Sequence, residues 1–220
     1  MNKEKWNTYR RIILNSLQEK YKSLYNGIVL DIGGRDRGIF KELKLKVDKW
    51  IFADIDGSRH PDIIIDVSNM EYFNSNSIDV INALELFEHV FKIRKGLKEC
   101  YRVLKKDGKL ILSTPFLFPI HGLPYDYQRW TYNKWRFELE KVGFKIEKMI
   151  IMGNFFTIFA DMLKTLLKSQ IKRSSFKRKI FSLFLPLLDN LTKFDNRKLL
   201  KNNDSLKNFH YGYFIISTKV

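Results

Sequence analysis

The sequence predicts an α/β fold: a seven-stranded, mostly parallel sheet with helices on both faces. Three observations predict it. Between residues 27 and 152, short runs rich in β-branched and aromatic residues alternate with stretches whose apolar positions recur at helical spacing. Acids and glycines gather where those runs end, the edge at which open α/β sheets bind ligands. At 220 residues and 26.3 kDa, the chain can bury a full core without metal or disulfide staples.

In chain order, residues 8–24 place Tyr9, Ile12, Ile13, Leu17, Tyr21 and Leu24 at the spacing of an amphipathic helix. Strands are expected at Ile28–Ile32, 50–53, 62–66, Ile78–Leu84, 109–114 and Phe144–Ile151, with a last one at 210–218. Helices fall between several of them, marked by Ile93, Leu97, Tyr101 and Leu104, and again by Trp135, Phe137, Leu139 and Val142. Strand–helix alternation implies parallel pairing with both sheet faces covered. Residues 154–208 interrupt the pattern before the last strand. They hold apolar segments at 155–167 and 180–191, separated by KSQIKRSSFKRK, and Pro186 is expected to kink or break the second. The whole chain, 1–220, reads as one domain carrying a basic helical insertion.

The charge is uneven. Forty basic residues against 24 acidic give +16, with 28 lysines to 12 arginines. Residues 164–201 hold 11 basic and two acidic residues and so carry +9 of that total. Three readings of this stretch stand side by side: a helical cap or homodimer contact, an amphipathic element lying on an anionic membrane surface, and a nucleic-acid contact. The single cysteine, Cys100, excludes a disulfide framework and a Cys-rich metal site. The charged start, MNKEKWNTYR, has no secretory apolar core, and no apolar run reaches the ~18 residues of a membrane span. The expected location is cytoplasmic, at the inner membrane face if the lipid reading holds.

The first strand ends VLDIGGRDRG, placing Asp31 before Gly33 and Gly34, where the chain can turn sharply and backbone can approach a ligand. The G-x-G-x-x-G dinucleotide pattern is not met, which argues against a nicotinamide-dependent oxidoreductase. The second strand ends at Asp54, 23 residues on, where a carboxylate can accept from both ribose hydroxyls. The third ends at Asp66, and the fourth opens with Asp79 and ends near Glu85, Glu88 and His89. A row of carboxylates disfavours a diphosphate and suits a cationic adenosine ligand.

These pieces resemble the class I S-adenosylmethionine-dependent methyltransferases, of Rossmann-like fold, and within them the type 11 group. The resemblance covers about 27–152 and the final strand, and rests on VLDIGG, FADID, DVSNMEYFNSNSIDVINALELFEHV and LKECYRVLKKDGKLILSTPF. It implies a last strand antiparallel to the others and S-adenosylmethionine as cofactor. It further implies that Asp31, Gly33 and Gly34 hold the methionine moiety, that Asp54 takes the ribose, that Asp66 and Val67 frame the adenine, and that Leu84 and Glu85 line the cleft. The family prefers glycine where this chain has Arg35 and Arg37. An arginine there either pairs with the methionine carboxylate or fills the cleft, which leaves a non-catalytic binding protein of the same fold as an alternative.

Methyl transfer from a sulfonium gains mainly from alignment and desolvation, and a hydroxyl acceptor also gains from a base. His121, after the fifth strand, is the first candidate base, His89 the second and Asp126 the third. In HGLPYDYQRWT, a motif similar to one found in a subset of the family tied to surface glycans, Tyr125, Tyr127, Arg129 and Trp130 suit a sugar or aromatic acceptor. The acceptor is expected to be a hydroxyl on a glycan or lipid-linked small molecule. A nucleic-acid methyltransferase is the alternative that the charge favours, although the N-P-P-Y-type motif of amino-methylating enzymes is missing. The four histidines show no metal-ligand spacing.

Overall fold

The computed structural model describes residues 7–34, 47–171 and 183–220. The chain divides into two compact units, one of residues 17–150 with 213–220 and one of residues 1–16 with 151–212.

The larger unit is built on seven strands: β1 (Ile28–Ile32), β2 (Lys49–Asp54), β3 (Ile63–Ile64), β4 (Ile78–Leu84), β5 (Leu104–Pro115), β6 (Phe144–Ile151) and β7 (Gly212–Lys219). Their order across the sheet is β3–β2–β1–β4–β5–β7–β6. β1 pairs in parallel with β2 and β4, β2 with β3, and β4 with β5; the sheet carries one antiparallel strand. From β1 the chain steps outward to β2 and β3, then returns to β4 on the other side of β1. The order therefore reverses between β1 and β4, and the carboxyl ends of those strands are the switch point where such sheets take ligands. Four of the five residues of β1 are buried, as a central strand covered on both faces requires.

Helices α2 (Ile93–Val103) and α3 (Tyr132–Val142) belong to this unit. α2 buries Ile93, Gly96, Leu97, Cys100 and Val103, one stripe at helical spacing. α3 starts where Thr131 accepts from the Lys134 N–H and stops at Gly143, whose φ of +113° only glycine adopts readily. Glu138 of α3 accepts from Arg94 of α2 at 3.0 Å and joins the two helices.

Several elements differ from the sequence reading. The third strand shrinks from 62–66 to two residues. Asp62 instead caps the Phe52 N–H at 2.8 Å, and Asp66 folds back to accept from the Ser68 N–H at 2.8 Å. The fifth strand begins at Leu104 rather than 109: Leu104 pairs with Ile78, Lys105–Gly108 loop out with Asp107 at φ +63°, and pairing resumes at Val80 and Lys109. Asp79 lies at the opposite edge from the other acids. It binds Lys105 Nζ at 2.8 Å and the Ile28 N–H at 2.9 Å, so it pins strand starts and takes no part in a ligand cradle.

The smaller unit contains α1 (Tyr9–Lys20) up to residue 16, α4 (Phe155–Ile171), α5 (Leu185–Thr192) and two four-residue helices, α6 (Lys198–Lys201) and α7 (Asp204–Lys207). Tyr9, Ala160, Leu185 and Leu188 form its core, with Leu163, Leu167 and Leu191 packed against them. Two helix starts are capped by acids distant in sequence. Asp161 accepts from the Tyr9 N–H at 2.7 Å, and Asp195 accepts from the Asn154, Phe156 and Thr157 N–H groups at 2.8–3.2 Å. Of the apolar segment 180–191, only the part from Leu185 onward is helical among the described residues, and Pro186 marks its start. It sits in the first turn of α5, where its missing N–H costs nothing. Lys164, the first residue of the basic stretch, is buried: its Nζ donates to the Asn7 carbonyl at 2.6 Å and lies 4.3 Å from the Tyr9 ring centre. The bulk of KSQIKRSSFKRK lies outside the described residues, as do Arg35 and Arg37. Among the described residues, no helix is long and apolar enough to cross a membrane.

The turn bearing Asp66 and Val67 is anchored by α2. Glu99 accepts from the Met70 N–H at 2.8 Å, and Arg102 donates to Glu99, to the Met70 carbonyl and to the Phe73 carbonyl, each at 2.8–2.9 Å. The Arg102 guanidinium holds the Glu99 carboxyl below its usual range. A carboxyl lowered in the folded state adds stability above its unfolded pKa and loses it as pH falls through the folded one. Glu99→Gln is therefore expected to cost about 1–3 kcal/mol at neutral pH in urea unfolding. The gap to the parent protein should narrow as pH drops through about 4 and below; a gap that stays constant into acid would show that the charge on Glu99 does not matter.

Candidate active site

At the switch point, Asp31 ends β1 almost wholly withdrawn from water, at 2% exposure. Asn82, its register partner on β4, donates to Asp31 Oδ1 at 2.7 Å and accepts from the Tyr25 hydroxyl at 2.8 Å. The turn that follows needs two glycines for different reasons. Gly33 has φ +70° and donates to the Ala53 carbonyl at 2.8 Å. A Cβ on Gly34 would lie 2.0 Å from Asp31 Oδ2, so no side chain can stand over that carboxylate.

Asp54 ends β2 one strand away, at 5% exposure. Its Oδ1 accepts from the Asp56 N–H at 2.9 Å and its Oδ2 from Arg59 Nη1 at 3.0 Å. Arg59 is itself 37% exposed, so its guanidinium can turn into water and free that oxygen for a hydroxyl donor. Asp66 is exposed beyond β3. Val67 is buried, and its side chain packs over Gly96 of α2, close enough that a Cβ there would meet it at 3.3 Å. At the end of β4, Leu84 is half-buried, and Glu85 takes a left-handed φ of +56°. Its N–H donates to the Ser113 carbonyl at 2.9 Å, and its Oε1 accepts from the Ser113 hydroxyl at 2.8 Å. The parallel register thus sets Asp31, Asp54, Asp66 and Glu85 along one edge of four adjacent strands. This edge fits a cationic adenosyl ligand. Its two buried carboxylates favour positive charge and repel phosphate, and the glycine turn leaves room for close backbone approach.

A second group of side chains stands beyond β4 and β5. Glu88 lies in a 3₁₀ turn, Phe87–His89, and its side chain is fully buried. The Nε2 atoms of His89 and His121 each lie 3.8 Å from Glu88 Oε1, and the two rings meet edge to face with centres 5.0 Å apart. The segment after β5 is laced to this turn. Tyr127 N–H donates to the Glu88 carbonyl at 2.9 Å, Gln128 Nε2 to the Val90 carbonyl at 2.7 Å, and His89 Nδ1 lies 2.7 Å from the Tyr125 carbonyl. Asp126 accepts from the His121 N–H at 2.9 Å and from Arg129 through both oxygens. The Arg129 guanidinium lowers the Asp126 carboxyl to about 2, which makes it a weak proton acceptor. Burial lowers His121 and favours its neutral ring at neutral pH.

His89, His121 and Asp126 therefore come together, as do the four acids of the strand ends. Tyr125 and Tyr127 are exposed beside them, and Phe91 meets the Tyr127 ring at 5.3 Å. Arg129 is engaged by Asp126, and Trp130 packs on Trp135 with ring centres 4.9 Å apart. Sequence reasoning missed three contributors, Asn82, Arg59 and Ser113, and noted Glu88 only as one of the acids near the end of the fourth strand. The three missed residues carried no signal in the sequence, whereas Glu88 stood beside His89 in the ELFEHV run.

Residues 52–112 match the family model described as a methyltransferase domain. No curated protein matches the chain. Among solved structures, the chain is similar to a SAM-dependent methyltransferase from Archaeoglobus fulgidus, with a TM-score of 0.58, 17% identity, and 96% of this chain and 94% of that one covered. It is also similar to phosphoethanolamine N-methyltransferase 2 of Haemonchus contortus in complex with S-adenosyl-L-methionine (TM-score 0.58, 16% identity, 95% and 52% covered). The [4+2]-cyclase SpnF is a third (TM-score 0.61, 12% identity, 96% and 81% covered). At such identities the likeness is one of fold, and fold by itself does not set a reaction. The domain match adds sequence similarity from β2 to β5, a span that includes Asp54, Asp66 and Glu85 but not Asp31 or the glycine turn. Domain match and sheet order thus agree on a segment similar to a methyltransferase domain set in a Rossmann-like fold shared with class I methyltransferases.

Proposed function

We propose that this chain is an S-adenosylmethionine-dependent methyltransferase acting on a hydroxyl of a glycan or lipid-linked small molecule, and that the acceptor lies against His89, His121, Tyr125 and Tyr127. The observation that carries this reading is the pairing of two imidazoles beside exposed aromatic rings, just beyond the strands that would hold the cofactor. When bound, S-adenosylmethionine supplies a methyl group on a sulfonium, open to in-line displacement. Asp31 with the Gly33–Gly34 backbone would hold its amino-acid end and Asp54 its ribose, with Arg59 turned aside; Asp66 and Val67 would flank the adenine, and Leu84 and Glu85 would line the wall. Tyr125 and Tyr127 offer flat faces and hydroxyls to a sugar ring. Arg129 keeps Asp126, and through it the His121 backbone, in position. His121 with His89 activates the acceptor hydroxyl, in the simplest form by taking its proton on a neutral ring.

Two measurements test this. Calorimetric titration with S-adenosylhomocysteine should show binding that weakens at least tenfold, about 1.4 kcal/mol, in Asp54→Ala. No binding in the parent protein would favour a degenerate binding protein. Mass spectrometry of acceptors incubated with labelled cofactor should reveal a methylated glycan or lipid-linked product. His121→Ala should lower its rate about 100-fold or more while cofactor binding holds. A methylated nucleic acid as the sole product would replace the acceptor reading.

A second reading concerns the smaller unit and location at the inner face of an anionic membrane. Its observation is an apolar stripe on α4, with Phe159, Met162 and Leu166 at 44%, 67% and 57% exposure. Leu183, Phe184 and Leu187 are likewise exposed. The protein should float with vesicles containing phosphatidylserine, and replacing Met162 and Leu166 by glutamate should abolish flotation; unchanged flotation would rule out this face.

A further inference from the structure

We propose that Glu88, His89 and His121 form a binding site for a divalent transition-metal ion of the zinc type. The inference rests on reading this cluster as the acceptor site, and it adds what activates the hydroxyl.

One ligand atom from each of the three residues lies within 4.8 Å of the other two. Both imidazole Nε2 atoms stand 3.8 Å from Glu88 Oε1. With metal–ligand bonds of about 2.0–2.1 Å, neighbouring atoms of a tetrahedral site sit about 3.3 Å apart, so each histidine–carboxylate pair would close by about half an ångström and the histidine pair would draw together from within 4.8 Å. The far sides of the rings fix what the near sides offer. His89 Nδ1 lies 2.7 Å from the Tyr125 carbonyl and His121 Nδ1 lies 3.2 Å from the Pro119 carbonyl. A ring nitrogen bonded to a carbonyl carries the proton, which leaves the lone pair of a neutral ring on Nε2. Metal-binding histidines are oriented in the same way, by a carbonyl on the other nitrogen. Two lone pairs and a carboxylate oxygen thus converge.

The surroundings hold them there. Tyr127 N–H fixes the Glu88 backbone, Asp126 fixes that of His121, and a Cβ on Gly122 would come within 2.9 Å of His89 Cε1. A fully buried carboxylate gains most from a cation. Three protein ligands leave one position for another oxygen, as in catalytic zinc sites. An acceptor hydroxyl bound there ionises more readily than in water and releases its proton to solvent, the imidazoles then serving as ligands.

Untagged, chelator-treated protein titrated with Co²⁺ alone should bind one equivalent, with the strong visible absorption of a four-coordinate ion, and Zn²⁺ should displace it. The buried Cys100 cannot supply a competing thiolate. His89→Ala and His121→Ala should bind at least tenfold more weakly and lose the band. Glu88→Gln, which keeps side-chain volume, should weaken binding likewise, and His60→Ala, at an exposed site, should not. A cooperative urea transition in each sample certifies its fold. Absence of a one-equivalent band in the folded parent, or a band that persists in both histidine variants, would overturn the site. If His121→Ala loses acceptor methylation while the parent binds no metal, this inference falls and the hydroxyl reading of the cluster stands.

Discussion

A nearly buried carboxylate at the middle of the sheet constrains everything at its carboxyl edge. Asp31 keeps its charge away from water at 2% exposure, which is costly unless polar groups answer it. Asn82 answers from β4, and Tyr25 in turn orients Asn82 through its hydroxyl. Burial, with the nearby Asp31 charge, pushes the Tyr25 hydroxyl far above its usual range, so it remains a donor. The same carboxylate dictates glycine at position 34, because any Cβ would collide with it. With Asp54 one strand over, the edge is negative and its backbone accessible. Such a site selects a cationic ligand and discourages the diphosphates that related open sheets bind.

Much of this was legible because strand ends are local events. VLDIGG and FADID announce a strand, an acid and a break within a few residues, and parallel pairing then lines up whatever sits at each end. β1, β4 and β6 have the bounds that hydrophobic runs alone indicate. The errors come from side chains competing with the ladder. Asp62 and Asp66 bind backbone N–H groups themselves and cut β3 to two residues. In KKDGK, Asp107 adopts the left-handed region, so the strand loops out and resumes where a sequence reading expects only a turn.

The acceptor side was legible as a list of residues and illegible as a constellation. His89 and His121 are separated by a helix and a strand, and no spacing rule links them. What unites them is a set of bonds onto main-chain carbonyls, from Tyr127 N–H to Glu88, from Gln128 Nε2 to Val90 and between His89 Nδ1 and Tyr125, and a carbonyl acceptor leaves no trace in residue identity. Arg129 shows the converse. As a free cation beside aromatic residues it suggests a ligand contact, yet Asp126, three residues before it, captures the guanidinium and converts it into a brace.

Charge in the smaller unit also reads differently once folded. A count over 164–201 treats every lysine as surface, but Lys164 points into the core, where burial lowers its pKa and its Nζ donates a hydrogen bond to the Asn7 carbonyl. Asp161, one turn earlier, is buried with it and caps α1. The polar pair faces inward beside Ala160, Leu163 and Leu167, and Phe159, Met162 and Leu166 face outward, so α4 is apolar on both sides. Positive charge in solution is well served by water. An apolar stripe is not, and its removal from water is worth roughly 25 cal/mol per Å² to whatever covers it. The outward apolar face, more than the surplus of lysine, is therefore the feature of this unit whose free energy contact with another surface would change most.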